Sequence, residues 1–130
     1  MSSAQRFYLR ASGVAGGLAV VVGAFGAHGL KSVLSEDMLV VYETGVRYHF
    51  YHALALLALA LAPVDLWRQR STLWAARLFL TGITIFSGSL YALAITETRW
   101  LGAITPFGGL AMIAGWICVA LSASSRSGVD

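Results

Sequence analysis

Four long apolar stretches constrain the fold of this chain more than any other feature. They lie at about 7–29, 38–62, 73–95 and 102–123. Each is close to the roughly 20 residues that a helix needs to cross about 30 Å of hydrocarbon. None shows the alternation of apolar and polar residues that a membrane β-barrel requires. The sequence therefore predicts an all-α membrane protein.

Composition agrees with that class. Of the 130 residues, 58% are hydrophobic and only 12% are charged, whereas about 25% are charged in a typical soluble domain. The connections are short, which makes neighbouring helices antiparallel. We expect one integral membrane domain over residues 1–130, a four-transmembrane-helix up-down-up-down bundle with the lipid bilayer as its partner. The net charge of +3 is spread over the connections, and no basic run suggests a nucleic-acid partner.

The basic residues that flank the stretches predict the orientation. An even number of spans places both termini on one side, and the side richer in Lys and Arg usually faces the cytoplasm. The count therefore predicts that both termini are cytoplasmic. The terminal side carries Arg6, Arg10, Arg68, Arg70, Arg77 and Arg126, and the other side carries Lys31, Arg99 and, if it reaches that surface, Arg47.

The segment 42–52 carries ionisable side chains directly into the second apolar stretch. A charge at the centre of a membrane helix costs roughly 2.5–3.5 kcal/mol on insertion scales, so such residues are candidates for a functional site. Glu43 and Arg47 are four residues apart in the order that favours pairing on one helix face. We predict a structural ion pair at the lipid boundary, with anion binding or proton relay as the alternative.

Other polar residues fall at similar depth. At 1.5 Å per residue, counting back from the end of the second stretch puts His52 near the middle of the membrane. The remaining polar side chains then lie in the half away from the termini. Hydrogen bonding between helices is their default role, and ligand binding in a shallow pocket is the alternative. The predicted cluster consists of His28, Tyr48, His49, Tyr51, His52, Ser87, Ser89, Tyr91 and Thr105.

Metal and cofactor binding are less favoured. His49 and His52 are three residues apart, and two imidazoles at that spacing can hold a metal on one helix face. No acid or cysteine on that face completes a closed ligand set, so we predict no metal and no cofactor. The single cysteine, Cys118, excludes an internal disulfide, and its apolar surroundings favour a buried, unreactive thiol.

Small residues spaced four apart predict close packing between helices. The sequence leaves open whether they face the same chain or another copy. Pro106 suits the first turn of the last helix because its φ is fixed. The small-residue pairs are Gly13-xxx-Gly17, Ala19-xxx-Gly23-xxx-Ala27 and Ala111-xxx-Gly115.

Four motifs in this order resemble the domain-of-unknown-function 423 family, whose members are small bacterial inner-membrane proteins with eukaryotic relatives called transmembrane protein 256. The motifs are GAFGAHGL at 23–30, ETGVRYHFYHALA at 43–55, FSGSLY at 86–91 and ITPFGG at 104–109. The resemblance implies a four-helix protein of the bacterial inner membrane. It also implies that His28 and His52 matter more than His49, a position where similar sequences often carry Gln. It implies no reaction.

Three functions follow as hypotheses. The first is a non-enzymatic structural or complex-associated membrane component, either a homo-oligomer or part of a larger complex. The second is an oligomeric transporter or channel for a small solute or proton, and the third is a lipid- or quinone-binding accessory subunit. No phosphate-binding loop, nucleophile elbow or catalytic triad spacing is present, so we expect no enzyme.

Overall fold

The computed structural model describes residues 1–124, which form helices joined by short connections. Arg126, which contributes to the orientation count above, lies outside the described residues. A π-helical turn, Ile83–Ser87, joins two of the helices into one rod that runs from Arg70 to Thr96. The helices are α1 Ser3–His28, α2 Glu36–Ala60, α3 Arg70–Gly82, α4 Gly88–Thr96 and α5 Thr105–Ser124.

α1, α2, the third rod (Arg70–Thr96) and α5 are each antiparallel to the next along the chain. α1 packs chiefly on α2, α2 packs on the third rod, and α5 packs on that rod from its other side. The predicted all-α, up-down-up-down architecture is confirmed. The chain enters the bundle at the end that holds Ser3, which we call the N-terminal end, and α1 finishes at the opposite end with His28.

Three of the rods are long and apolar enough to cross a membrane: Ser3–His28, Arg70–Thr96 and Arg99–Ala123. The second apolar stretch, also predicted to span, is not among them because the first half of α2 is rich in ionisable residues. α2 is nevertheless 25 residues long and packs antiparallel on the 26-residue α1. Because α1 is long and apolar enough to cross the membrane, α2, which packs along it and is almost as long, crosses the membrane beside it.

Capping residues explain where the helices begin. α1 starts at Ser3 rather than at about 7, because Ser2 and Gln5 form reciprocal side-chain to backbone hydrogen bonds of 3.1 and 2.9 Å. Ser35 caps α2, since its hydroxyl accepts a hydrogen bond from the Met38 amide. α5 begins three residues later than expected, at Thr105 instead of 102, because a 3₁₀ turn, Arg99–Ala103, precedes it. Pro106 occupies its first turn, as predicted.

The small residues divide between inward and outward faces. On α1, Gly23 faces Val46 and Gly26 lies under the ring of Tyr42, so this part of the predicted seam packs against α2. Gly13 and Gly17, by contrast, meet nothing within 4 Å. The Gly13-xxx-Gly17 pair therefore forms no seam within this chain, and its small residues leave an open strip on the outer face of α1.

At the π-helical turn, the third rod comes into backbone contact with α5. A methyl group at Gly108 of α5 would meet the backbone of Phe86, and one at Gly82 would come within 2.5 Å of the Met112 side chain. Glycine at 108 therefore lets α5 contact the main chain of the turn. On the other side of the rod, Ser87 donates a 2.7 Å hydrogen bond to the carbonyl oxygen of Gly45 in α2. The turn is held between α2 and α5.

We predict that Gly108→Ala lowers the stability of the protein in detergent, because the added methyl forces the two backbones apart. Overpacking of this kind typically costs about 1–3 kcal/mol. Gly109→Ala is the matched control, since its methyl would lie an ordinary 3.7 Å from the Phe86 ring. Thermal unfolding followed by circular dichroism should show a lower midpoint for the first variant only. Equal midpoints would contradict the close contact.

Candidate functional site

The polar residues predicted as one cluster form several separate pairs along the bundle. His49, His52, Ser87 and Ser89 are buried, whereas His28, Tyr48 and Tyr51 are exposed. His28 ends α1 at the opposite end of the bundle, where its exposed ring lies on the bundle surface. Each buried member has its own hydrogen-bond partner.

His49 pairs with Tyr91. Its Nδ1 lies 2.9 Å from the Tyr91 hydroxyl oxygen, which links α2 to α4. Gly45, one turn before His49, lies directly against the Tyr91 ring. A methyl group at position 45 would collide with that ring. If the tyrosine donates, the imidazole carries its proton on Nε2; if Nδ1 donates, the hydroxyl hydrogen is free. The main chain of Ala15 lies close enough to hydrogen-bond with the imidazole, so a proton on Nε2 has a partner within the bundle.

His52 has partners at both ring nitrogens. Nδ1 lies 2.8 Å from the carbonyl oxygen of Tyr48, and the Trp116 indole N–H donates to Nε2 at 3.2 Å. A carbonyl only accepts and an indole N–H only donates. The hydrogen bonds therefore specify the neutral tautomer with its proton on Nδ1. This histidine is a structural link between α2 and α5 with no nitrogen left for chemistry.

Ser87 and Ser89 point to different neighbours, because residues two apart on a helix lie about 200° apart around its axis. Ser87 reaches the carbonyl of Gly45 in α2, and Ser89 shares a 2.7 Å hydrogen bond with the Thr105 hydroxyl at the start of α5. Ser89 also bonds back to the carbonyl of Phe86. These residues hold the third rod between its neighbours.

Glu43 and Arg47 make the predicted contact, but it is long and open. Oε2 and Nη2 are 3.9 Å apart, and the side chains are 50% and 65% exposed, respectively. The close bidentate geometry of a strong carboxylate–guanidinium pair is absent here. Exposed pairs contribute about 0–1 kcal/mol. Both groups keep hydrogen-bonding capacity for a third partner.

Four interior links were not predicted from the sequence. The Tyr42 hydroxyl donates to the Val22 carbonyl at 2.6 Å. At the N-terminal end, the buried Gln5 amide donates to the Ala62 carbonyl at 2.9 Å, and the Trp67 indole N–H donates to the Leu59 carbonyl at 2.8 Å. The fourth is the Trp116 bond to His52. Polar contacts therefore extend well beyond the half in which they were expected.

A buried Trp or Tyr needs a hydrogen-bond partner, and this requirement is the signal that could have found two of these links. It would have pointed to Tyr42 and Trp116, both of which lie in apolar stretches. Gln5 had no comparable signal, because its position precedes the first predicted stretch.

A lateral cavity of about 460 Å³ opens between α1 and the third rod. Its volume falls in the range of small-molecule sites. His49, Tyr91 and Thr84 supply its polar groups, and none of the described residues that line it is charged. Val14, Leu18, Thr84 and Gly88 are exposed at its mouth. The lining consists of Ala11, Val14, Ala15, Leu18, His49, Leu80, Ile83, Thr84, Gly88 and Tyr91.

Metal coordination has no support in the geometry. Within residues 1–124, no three His, Cys, Asp or Glu side chains come together as a metal site. His49 and His52 each direct Nδ1 to an oxygen, one to Tyr91 and one to the main chain.

Comparison with known proteins identifies the family. The model of the family described as "Protein of unknown function (DUF423)" matches residues 22–109. The chain belongs to this family. Proteins that it resembles include the UPF0382 membrane protein YwdK of Bacillus subtilis, 48% identical over 82% of this chain and 86% of that protein. The UPF0382 inner membrane protein YgdD of Escherichia coli K12 is 35% identical over 97% of each chain.

The relatives indicate a membrane protein, and their names give no biochemical activity. The relatives named above are described as membrane proteins and carry no enzyme name. No solved structure matches the chain. This DUF423 member is therefore an all-helical membrane protein of an uncharacterised family, which agrees with the resemblance seen in its motifs. The matched range includes Gly45, Ser87, Tyr91 and Gly108, residues that make the central helix contacts.

We predict that ¹⁵N NMR of the protein labelled at histidine will show His52 as the neutral tautomer protonated on Nδ1. Trp116→Phe removes the donor to Nε2, so the Nε2 resonance should shift while the protonated position stays the same. Loss of one such bond should also lower stability by about 1–3 kcal/mol. Trp74→Phe, at an exposed site on α3, is the control. A proton found on Nε2 would contradict the assignment.

Proposed function

We propose that this chain is a non-enzymatic inner-membrane protein that binds a neutral, lipid-soluble molecule in the lateral cavity. The main support for this proposal is the lateral cavity. It is an apolar space between α1 and the third rod, and the hydrogen-bonded His49–Tyr91 pair lies in its wall. The inner-membrane location is supported by the name of the Escherichia coli relative, an inner membrane protein. An orientation with the N-terminus in the cytoplasm is supported by the positive charges near the N-terminal end.

The lining determines the kind of ligand. Apolar side chains from α1 and the third rod suit a hydrocarbon tail or ring. His49 and Tyr91 suit a hydroxyl group, because the Tyr91 oxygen keeps lone-pair acceptors, and they suit a carbonyl group when Nδ1 donates to Tyr91 and frees the hydroxyl hydrogen. No charged side chain compensates a phosphate or an ammonium there. The ligand class is therefore a neutral lipid or quinone rather than a phospholipid headgroup.

Transport is less well supported. The buried residues between His52 and the N-terminal end form an apolar cluster that includes Leu56, Leu59, Ala76 and Phe79. The buried Ser12 hydroxyl near this layer donates to the Leu9 carbonyl of its own helix. A proton or ion moving from His52 towards Gln5 would therefore meet mainly apolar side chains. A binding role needs no such path, because its ligand enters sideways from the lipid.

We predict that protein purified from native membranes in mild detergent retains a neutral lipid that Gly88→Leu excludes. Gly88 lies in the cavity wall, and a Cβ atom added there meets nothing within 4 Å, so a leucine can extend into the cavity without forcing the backbone to move. Mass spectrometry of the extract should show about a tenfold loss or more, which corresponds to 1.4 kcal/mol of binding. Tyr91→Phe should lower retention about two- to tenfold through the lost hydrogen bond.

The control is Gly17→Leu, the same substitution at an open position outside the cavity. It should leave ligand retention unchanged. If wild-type protein and Gly88→Leu retain the same lipids in the same amounts, the cavity is only a packing gap and the proposed function is wrong.

Complex association is a second candidate, and the open strip on α1 favours it. Gly13 and Gly17 face away from the bundle, and α1 has α2 as its main partner. Small residues on an outward helix face allow close approach of another transmembrane helix. A second copy or another membrane subunit would contact this strip.

We predict that Gly17→Leu removes an oligomer or a co-purifying subunit seen by native mass spectrometry of wild-type protein. Bulk at this position prevents the close helix approach that small residues permit. Gly88→Leu serves as the reciprocal control and should leave assembly intact. A wild-type protein that is monomeric and alone in mild detergent would contradict this role.

A further inference from the structure

A second pocket lies between α1 and α2 at the end of the bundle opposite the N-terminus. Its volume is about 270 Å³. Gly23 and Gly26 of α1 pack directly against Val46 and the Tyr42 ring of α2, and this contact forms the floor of the pocket. Glu43 and Arg47 supply one acidic and one basic group to the same pocket. Its lining consists of Gly23, Gly26, Ala27, Tyr42, Glu43, Val46 and Arg47.

The depth of this pocket matches the boundary between hydrocarbon and headgroups. α1 has 26 residues and is therefore about 39 Å long, which exceeds the roughly 30 Å hydrocarbon core, so both its ends reach the headgroup layer. Gly23 and Ala27 belong to the last turns of α1, before His28. Glu43 and Arg47 lie beside them, because Val46 contacts Gly23.

The two charges are available to a ligand. Their mutual contact is 3.9 Å and both side chains are at least half exposed, so neither group is saturated by the other. The acid disfavours a purely anionic ligand and the base disfavours a purely cationic one. A group with a phosphate and an ammonium satisfies both, since guanidinium binds phosphate and a primary ammonium donates to carboxylate.

The surface next to the pocket is apolar towards the middle of the membrane. Val20 lies one turn deeper than Gly23 on α1, and Phe50 lies one turn deeper than Arg47 on α2. Both side chains are exposed, Val20 at 60% and Phe50 at 37%. An acyl chain attached to the headgroup would follow these residues. This continuity favours a membrane lipid over a free zwitterion in solution.

We propose that the pocket between α1 and α2 binds the headgroup of a phospholipid that carries a primary ammonium, with its phosphate on Arg47 and its ammonium on Glu43. The site is separate from the lateral cavity, which takes neutral ligands. Phosphatidylethanolamine has this chemistry, and phosphatidylglycerol, which lacks the ammonium, is the comparison lipid.

The test is native mass spectrometry of the full chain released from nanodiscs that contain equal amounts of the two lipids. Wild-type protein should retain phosphatidylethanolamine about two- to fivefold over phosphatidylglycerol, the range expected for a half-exposed charge pair. Glu43→Gln should bring the ratio close to one, because it removes the ammonium partner only. Arg47→Gln should lower retention of both lipids, because both carry a phosphate.

Controls separate this site from general charge effects and from misfolding. Glu36→Gln removes an acid at the start of α2, outside the pocket, and should keep the wild-type ratio. Circular dichroism should show unchanged helix content in all variants. Equal retention of the two lipids by wild-type protein, or an unchanged ratio in Glu43→Gln, would overturn the proposal. Full competition by free glycerophosphoethanolamine would overturn the assignment to a membrane lipid.

Discussion

Close contact at the π-helical turn is the constraint on which the rest of the bundle depends. The third rod touches the main chain of both neighbours there: Ser87 reaches the carbonyl of Gly45, and the backbone of Phe86 lies against Gly108. Helices in lipid gain little from the hydrophobic effect and associate through tight packing and hydrogen bonds. The contact at this turn supplies both tight packing and a hydrogen bond. It therefore fixes where α2 and α5 lie on the third rod.

The interior polar groups are satisfied mainly by main-chain carbonyls of neighbouring or preceding turns. Tyr42, Trp67 and Gln5 each donate to a carbonyl of another segment, and His52 donates to one within its own helix. Such bonds need no second polar side chain, so the bundle can hold hydroxyls, amides and imidazoles without bringing charges inside. The charged groups of α2 stay at its exposed surface, where water and headgroups solvate them.

The fold could be predicted from the sequence because length and apolarity leave few alternatives in a membrane. Helix positions followed from the apolar stretches, while their ends depended on caps such as Ser2 and on the 3₁₀ turn before Thr105. The π-helical turn had no local signal, since it reflects how the third rod fits between two partners. The outward direction of Gly13 and Gly17 was equally hidden, because a small-residue pattern marks a close-packing surface without naming what covers it.

The polar residues could be identified as interior candidates, but their partners could not. Spacing along one helix says that His49 and His52 share a face; it says nothing of Tyr91 or Trp116, which come from other helices. The exposed position of His28 shows the same limit. Depth in the membrane brings residues to one level, whereas pairing depends on the rotation of each helix about its axis.

That rotation gives the π-helical turn a further consequence. Such a turn accommodates one residue more than an α-helical turn, and one residue corresponds to about 100° of rotation about the helix axis. Tyr91 therefore faces His49 because of the residue count between Gly82 and Gly88 as much as because of its identity. Substitutions elsewhere in this rod leave the residue count unchanged, so His49 and Tyr91 still face each other. A single inserted or deleted residue would turn the tyrosine to another side of the bundle and leave the wall of the cavity without its hydroxyl.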